Sequence, residues 1–149
     1  MCVSERIEKI RNGLPENVRL VAVSKTKPAK EIMMAYDSGQ RVFGENKAQE
    51  LIAKQPEMPS DIEWHFIGHL QRNKVKYLAP FVAMIESVDS LRLLKEINKE
   101  AIKAERVIPC LLQFHIASEE TKFGLDLNEA SDLLESEAYA AMENIRISG

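Results

Sequence analysis

Apolar residues follow two alternating patterns along the chain, one typical of buried strands and one typical of amphipathic helices. Short runs rich in β-branched residues predict six strands, at 18–23, 41–43, 62–67, 82–85, 107–114 and 145–147. Apolar positions at helical spacing predict a first helix near 3–14 and further helices at 28–39, 47–55, 71–78, 91–104 and 127–137. A repeated strand–helix order is typical of a parallel sheet with helical crossovers.

Two parallel α/β architectures compete for this pattern. A doubly wound sheet that binds a nucleotide usually has a Gly-rich first turn, whereas the first turn here, 24–28, contains no glycine. A (β/α)8 TIM barrel carries its chemistry at the carboxyl ends of its strands. Polar residues follow the predicted strands at these positions: Lys25, Glu45, Asn46, His69, Glu86, Ser87 and His115. This distribution favours the barrel.

The length of the chain predicts only part of such a barrel. A complete barrel takes roughly 250 residues, and the 149 residues here supply about five βα units and a sixth strand. We therefore expect a single incomplete barrel domain over 1–149. Its sheet should be open, with no hydrogen-bonded ladder between the first and sixth strands, and its free edges should favour association with other chains.

Composition and charge exclude several classes of protein. The net charge of −3 argues against a protein that mainly binds nucleic acid, and it gives no reason to expect binding to an anionic membrane. No apolar run approaches the roughly 20 residues of a membrane span. The two cysteines, Cys2 and Cys110, form no metal-ligand spacing with the three histidines. We expect a soluble cytoplasmic protein with reduced thiols and no metal site.

Five segments, spread in order along the chain, carry a specific resemblance. They are Val-Ala-Val-Ser-Lys-Thr-Lys-Pro at 21–28, Phe-Gly-Glu-Asn at 43–46, Trp-His-Phe-Ile-Gly at 64–68, Glu-Ser-Val-Asp at 86–89 and Glu-Glu-Thr-Lys-Phe-Gly at 119–124. Through them the chain resembles the pyridoxal phosphate homeostasis family, single-domain relatives of the alanine racemase barrel. The resemblance implies a barrel that binds pyridoxal 5'-phosphate (PLP) as a Schiff base on Lys25.

The resemblance also implies a function and leaves two alternatives open. Such proteins are regarded as PLP carriers or regulators of vitamin B6 balance, with PLP-dependent apoenzymes as conceivable recipients and no established catalysis. A racemase-like enzyme is one alternative, although racemases of this barrel use a tyrosine from a second domain, and Tyr36, Tyr77 and Tyr139 lie in predicted helices. The other is an interaction module without PLP, if the chain naturally ends at Gly149.

The chain departs from the family pattern at its end. Family members continue with a Gly-Leu-Met strand and then Ser-x-Gly-Met and Arg-Ile-Gly-Thr segments. The last two form the cup for the PLP phosphate and supply an arginine near the pyridine nitrogen. No such segment follows Gly149. We therefore expect a chain truncated at its C-terminus that binds PLP more weakly than a full-length relative.

The chemistry of a Schiff base sets requirements for Lys25. The reaction needs a neutral amine, whereas a free lysine has a pKa of about 10.4. Burial at a strand end and a nearby cation, which Lys27 could supply, both lower a lysine pKa. Glu45 is expected to neutralise Lys25 or Lys27, or to be an ordinary carboxylate in the first turn of a helix.

The remaining candidates are an amide and three histidines. Asn46 could hydrogen-bond the phenolic oxygen of PLP, or it could cap the helix at 47–55. His69 lies at the mouth of the expected site and could take part in acid–base chemistry. His115 ends the fifth strand, where racemase relatives place residues against the cofactor ring. His65, between Trp64 and Phe66, is interpreted as a hydrogen-bonded histidine inside a strand.

Overall fold

The order of the strands in space follows their order in the chain in the computed structural model, which describes residues 2–116 and 123–149. All neighbouring strands of this six-stranded sheet run parallel. The strands are β1 Ala22–Val23, β2 Val42–Glu45, β3 Glu63–Phe66, β4 Met84–Val88, β5 Ile108–Leu112 and β6 Ile145–Ile147. β1 and β6 lie at opposite edges and do not pair, which confirms the predicted open sheet.

Helices connect the strands. They are α1 Val3–Asn12, α2 Ala29–Asp37, α3 Ala48–Lys54, α4 Arg72–Leu78, α5 Leu91–Lys103, α6 Leu127–Glu135 and α7 Glu137–Ala140, with a 3₁₀ turn at Gln55–Glu57. Parallel crossovers are almost always right-handed, so a sheet whose spatial order follows the chain order has its helices on one face. A doubly wound sheet would reverse its order instead. The observed order is that of a partial (β/α)8 barrel.

The main core lies between the sheet and this helical layer. Large side chains on the helix-facing side of β2, β3 and β4 are almost completely buried, among them Phe43, Phe66 and Ile85. The longest helix, α5, contributes Leu94 and Ile97 from one face, as its 3.6-residue periodicity predicts. Burying each such side chain stabilises the fold by about 1.5–3 kcal/mol.

Several element boundaries differ from the sequence-based expectation. The first strand shortens from 18–23 to two residues because β1 pairs with β2 on one side only. Pro28 is the N-cap of α2 and not its first helical residue. The fourth strand begins later than predicted, at Met84, because the N–H of Val82 still donates a hydrogen bond to the carbonyl of Leu78 at the end of α4.

The two cysteines occupy opposite environments, and a prediction follows from the difference. Cys110 is buried in β5, and its burial raises the pKa of the thiol to about 12, whereas Cys2 is exposed. Since the thiolate is the reactive form, a thiol reagent at neutral pH should modify Cys2 rapidly and Cys110 only after unfolding. Counting the modified thiols of Cys2→Ser and Cys110→Ser variants, with and without denaturant, checks this. Rapid labelling of native Cys2→Ser would contradict it.

Candidate functional site

The carboxyl edge of the sheet brings together the segments that follow the strands. Because all the strands are parallel, their carboxyl ends meet at the same edge. Lys25 follows β1, Asn46 follows β2, His69 follows β3 and Asp89 follows β4. This edge is the candidate site.

Lys25 presents an unpartnered amine at this edge. The chain alternates in exposure along β1 and beyond it, with Ser24 buried and both Val23 and Lys25 exposed. Within the described part of the chain, the Lys25 side chain makes no hydrogen bond or ion pair. The burial expected of Lys25 is therefore wrong for this structure. Lys27 is ion-paired with Glu31 across 3.1 Å, so its charge is shared with a carboxylate.

Beside the Lys25 turn lies a group of charged side chains, here called the Lys54 cluster, which consists of Glu45, Glu50 and Lys54. The Lys54 ammonium lies 2.7 Å from Glu45 Oε1 and 2.6 Å from Glu50 Oε1. Ser24 Oγ donates a further hydrogen bond of 2.6 Å to Glu45 Oε1. The expectation that Glu45 neutralises Lys25 or Lys27 is wrong, because its carboxylate faces Lys54. It also lies on β2, before α3 begins, and so is not in a first turn.

The pKa values of this cluster follow from its contacts. Burial by itself would lower the pKa of the Lys54 ammonium, but the hydrogen bonds that Lys54 donates to Glu45 and Glu50, and the charges of these two carboxylates, outweigh burial and raise that pKa above its usual value. The hydrogen bond from Lys54 lowers the pKa of Glu50 below the usual carboxyl range. Both partners therefore stay charged across neutral pH.

Asn46 and His69 are brought close by a glycine. An added Cβ on Gly68 would lie 2.2 Å from the carbonyl oxygen of Asn46, so only glycine allows the loops after β2 and β3 to approach this closely. A cavity of about 180 Å³ opens at this point, lined by Asn46, His69 and Lys74, among others. The capping alternative for Asn46 is wrong, because the N-cap of α3 is Lys47.

His69 is held from two sides. Its ring stacks on Phe123 with the ring centres 3.6 Å apart and the planes 14° from parallel. Its Nδ1 lies 3.2 Å from Oδ2 of Asp89. A part in acid–base chemistry remains a prediction for this residue.

The other two histidines make local contacts. His65 is buried in β3, and its Nδ1 lies 2.5 Å from Oε1 of Glu86, which confirms a hydrogen-bonded strand histidine. His115 is exposed, and its Nδ1 lies 3.2 Å from the carbonyl oxygen of Gly124. Part of the segment at 119–124 that carries the resemblance, residues 119–122, lies outside the described residues. The placement of His115 against a cofactor ring stays a prediction.

The strand ends differ from the expectation at β2, β4 and β5, and three residues were missed. Glu45 is the last residue of β2, and β5 ends at Leu112, so His115 does not follow that strand directly. Glu86 and Ser87 lie inside β4, which continues to Val88, so the first residue past this strand is Asp89. Asp89 was named only within the segment at 86–89, and Glu50 and Lys54 lay within the predicted helix at 47–55 without a role of their own. The spacing of four residues between Glu50 and Lys54, favourable for an ion pair on a helix, was the available signal.

Among residues 2–116 and 123–149, no three His, Cys, Asp or Glu side chains converge in a way that could hold a metal ion. No helix in the same residues is long and apolar enough to cross a membrane.

Comparison with known sequences gives matches along nearly the whole chain. A family model described as the N-terminal domain of alanine racemase matches residues 2–149. The chain is 42% identical over 137 residues to the pyridoxal phosphate homeostasis protein of Aquifex aeolicus, covering 89% of this chain and 60% of that protein. It is 38% identical over 139 residues to the protein of the same name from Escherichia coli strain K12, covering 91% and 58%. The chain thus spans between about half and 60% of the length of the curated relatives it matches.

Solved structures agree with the observed fold. PipY of Synechococcus elongatus with PLP bound superposes with a TM-score of 0.88 and 36% identity, over 98% of this chain and 68% of that chain. Alanine racemase from E. faecalis superposes with a TM-score of 0.75 at 14% identity, over 98% of this chain and 40% of that chain. The second likeness concerns the fold alone. Together they confirm the predicted partial barrel of the alanine racemase N-terminal type.

Proposed function

The chain belongs to the alanine racemase N-terminal domain family, and on that premise we propose that it binds PLP as a Schiff base on Lys25 and serves in PLP homeostasis. Its similarity to pyridoxal phosphate homeostasis proteins and to a PLP-bound structure of PipY supports this proposal. When bound, PLP supplies an aldehyde that condenses with a primary amine. The residues at the carboxyl edge fit that end of the molecule.

The observation that carries the proposal is the difference between Lys25 and the lysines around it. Lys27 is paired with Glu31, and Lys54 is held by two carboxylates. Lys25, two residues after the end of β1, has no partner among the described residues. Of these three lysines, Lys25 is the one whose amine no described carboxylate holds, and an aldehyde can therefore reach it.

Other side chains of the edge would orient the cofactor. We assign the amide of Asn46 to the phenolic oxygen of PLP, since the structure leaves this side chain out of the capping of α3. His69 and His115 are proposed to lie beside the ring, and Lys27 to add positive charge near the Lys25 turn. Glu45 is proposed to act from behind Lys25, through Ser24 and Lys54.

We propose a PLP carrier without catalysis. A racemisation assay distinguishes this proposal from the alternative of a racemase-like enzyme. The curated relatives are named for homeostasis, and the racemase structures are similar in fold alone. Tyr36, Tyr77 and Tyr139 all lie in helices, in agreement with the sequence-based expectation. Racemisation of any amino acid above the background of free PLP would overturn the carrier proposal. Transfer of PLP to an added apoenzyme would support the proposed recipients.

Titration with two cofactor forms tests the Schiff base. Addition of PLP to the purified chain should produce a saturable absorbance band of the PLP–lysine Schiff base. Pyridoxamine 5'-phosphate carries the same ring and phosphate but no aldehyde, so it should give no such band and should bind more weakly. Equal affinity for the two compounds would contradict attachment through the aldehyde and would favour an interaction module without PLP chemistry.

A further inference from the structure

We propose that Lys54 and Glu50 are positioning residues for Lys25, and that Glu45 holds Lys54 in place for this role. The inference rests on the proposed attachment of PLP to Lys25 and adds to it residues that never touch the cofactor.

The cluster binds both peptide groups that flank Lys25. The carbonyl of the Ser24–Lys25 peptide accepts a hydrogen bond of 2.9 Å from Lys54 Nζ. The amide N–H of the Lys25–Thr26 peptide donates a hydrogen bond of 2.6 Å to Glu50 Oε1. Because these two peptide planes define φ and ψ of Lys25, the cluster fixes the direction in which its side chain leaves the backbone.

The turn needs such a restraint. Thr26 has a φ of 61°, in the left-handed region that a β-branched residue rarely adopts. That conformation is unfavourable for an L-residue with a side chain, and it persists only where the surroundings impose it. The hydrogen bond from Thr26 to Glu50 is charge-assisted and therefore strong enough to do so.

The composition of the cluster points to positioning more than to stability. Glu45 is fully buried and its second oxygen, Oε2, has no hydrogen-bond partner among the described residues. Two carboxylates share a single ammonium that is only 12% exposed. Buried ion clusters of this kind are often no more stable than a hydrophobic replacement. What this cluster supplies is a defined geometry for the turn that carries Lys25.

The charge state of the cluster sets the pH range in which it can act. Glu50 has a lowered pKa in the folded chain, so its contribution is present above the unfolded carboxyl pKa of about 4.3 and is lost as the pH falls through the lowered value. Lys54 has a raised pKa, so its contribution is present below about pH 10.4 and is lost as the pH rises through the raised value.

The test compares Lys54→Met with a matched variant. Lys103, like Lys54, is the last residue of its helix and donates a hydrogen bond to a carboxylate, that of Glu100 at 2.7 Å. Lys103 lies on α5, outside the site, so Lys103→Met is the control. Lys54→Met should raise the dissociation constant for PLP about tenfold, as expected for the loss of a charge-assisted hydrogen bond. Lys103→Met should leave it unchanged.

A second readout separates positioning from a general loss of structure. After trapping with borohydride at limiting PLP, the wild-type chain should carry the label on Lys25, whereas Lys54→Met should distribute it over Lys25 and other lysines. Lys54→Arg keeps the charge and should restore most of the preference for Lys25. Should Lys54→Met fail to fold, Glu50→Gln serves instead, since a neutral amide still accepts from Thr26 but weakens the contact.

The outcomes distinguish the two proposals. If the wild-type chain forms no Schiff base, the proposed function fails. If the wild-type chain forms it on Lys25, and Lys54→Met and Glu50→Gln match the wild type in affinity and in label distribution, only the positioning role fails. A tenfold loss of affinity together with a spread of the label, in a variant with a native circular dichroism spectrum, supports it.

Discussion

Replacement of Lys25 by alanine is expected to abolish the saturable absorbance of the PLP–lysine Schiff base. Within the Lys25 turn and the Lys54 cluster the carrier account allows no substitute for this amine, because Lys27 is paired with Glu31 and Lys54 is held by Glu45 and Glu50. Any PLP that still reacts should do so weakly and without saturation. The measurement is an absorbance titration of the purified variant with PLP.

A matched control makes this prediction specific. Lys30 lies on α2, five positions beyond Lys25, is also exposed and takes no part in the site. Lys30→Ala should bind PLP with the wild-type dissociation constant and absorbance. The assignment of Lys25 would be refuted by a Lys25→Ala variant whose titration matches that of Lys30→Ala.

Gly68→Ala adds a single methyl group, and we expect it to be the most damaging change of this kind at the site. The new Cβ would meet three backbone atoms of Asn46, the closest at 2.2 Å, and backbone atoms cannot move aside as a flexible side chain would. Overpacking of this kind costs about 1–3 kcal/mol of unfolding free energy. Since the loops after β2 and β3 must separate, PLP affinity should fall as well. Urea denaturation and PLP titration measure the two effects.

Gly13→Ala is the control for the loss of a glycine. Gly13 ends α1 with a φ of −91°, and an added Cβ would lie at an ordinary contact distance, 3.5 Å from the carbonyl oxygen of Ile10. Alanine there should leave stability unchanged or raise it by up to about 1 kcal/mol, by restricting the unfolded chain. If Gly68→Ala proved as stable as Gly13→Ala, the close approach of the two loops would not be a constraint on this fold.

The parts of the fold that were predictable are those governed by local periodicity. The strands and helices from β2 to α5 follow from β-branched runs and from apolar spacing, and α5 begins at Leu91 as predicted. The parallel order and the unpaired edges follow from the strand–helix alternation. These features depend on short-range patterns that the sequence displays directly.

The parts that were not predictable depend on partners far apart in the chain. The length of β1 is set by its single neighbour, β2, and the sequence does not show how many residues of β1 pair with that strand. The break between α6 and α7 was missed because Ser136 both ends one helix and caps the next, while the apolar pattern continues across it.

The same reason explains the success and the failure at the site. Lys25 could be identified from the segment that carries it, since that segment is contiguous at 21–28. The partner of Glu45 could not be identified, because Lys54 is nine positions away in the chain. The pattern of strand ends instead placed Lys25 and Lys27 at the same edge of the sheet as Glu45. The burial of Lys25 was also predicted wrongly: a lysine at a strand end was expected to be buried, and Lys25 is exposed.

The most direct test of the central claim is to find which amine carries PLP in the unmodified chain. The purified chain is mixed with an equimolar amount of PLP, reduced with borohydride, digested and mapped by mass spectrometry. The account predicts one phosphopyridoxyl group, on Lys25. A label spread evenly over the exposed lysines, or concentrated on a lysine other than Lys25, would contradict it.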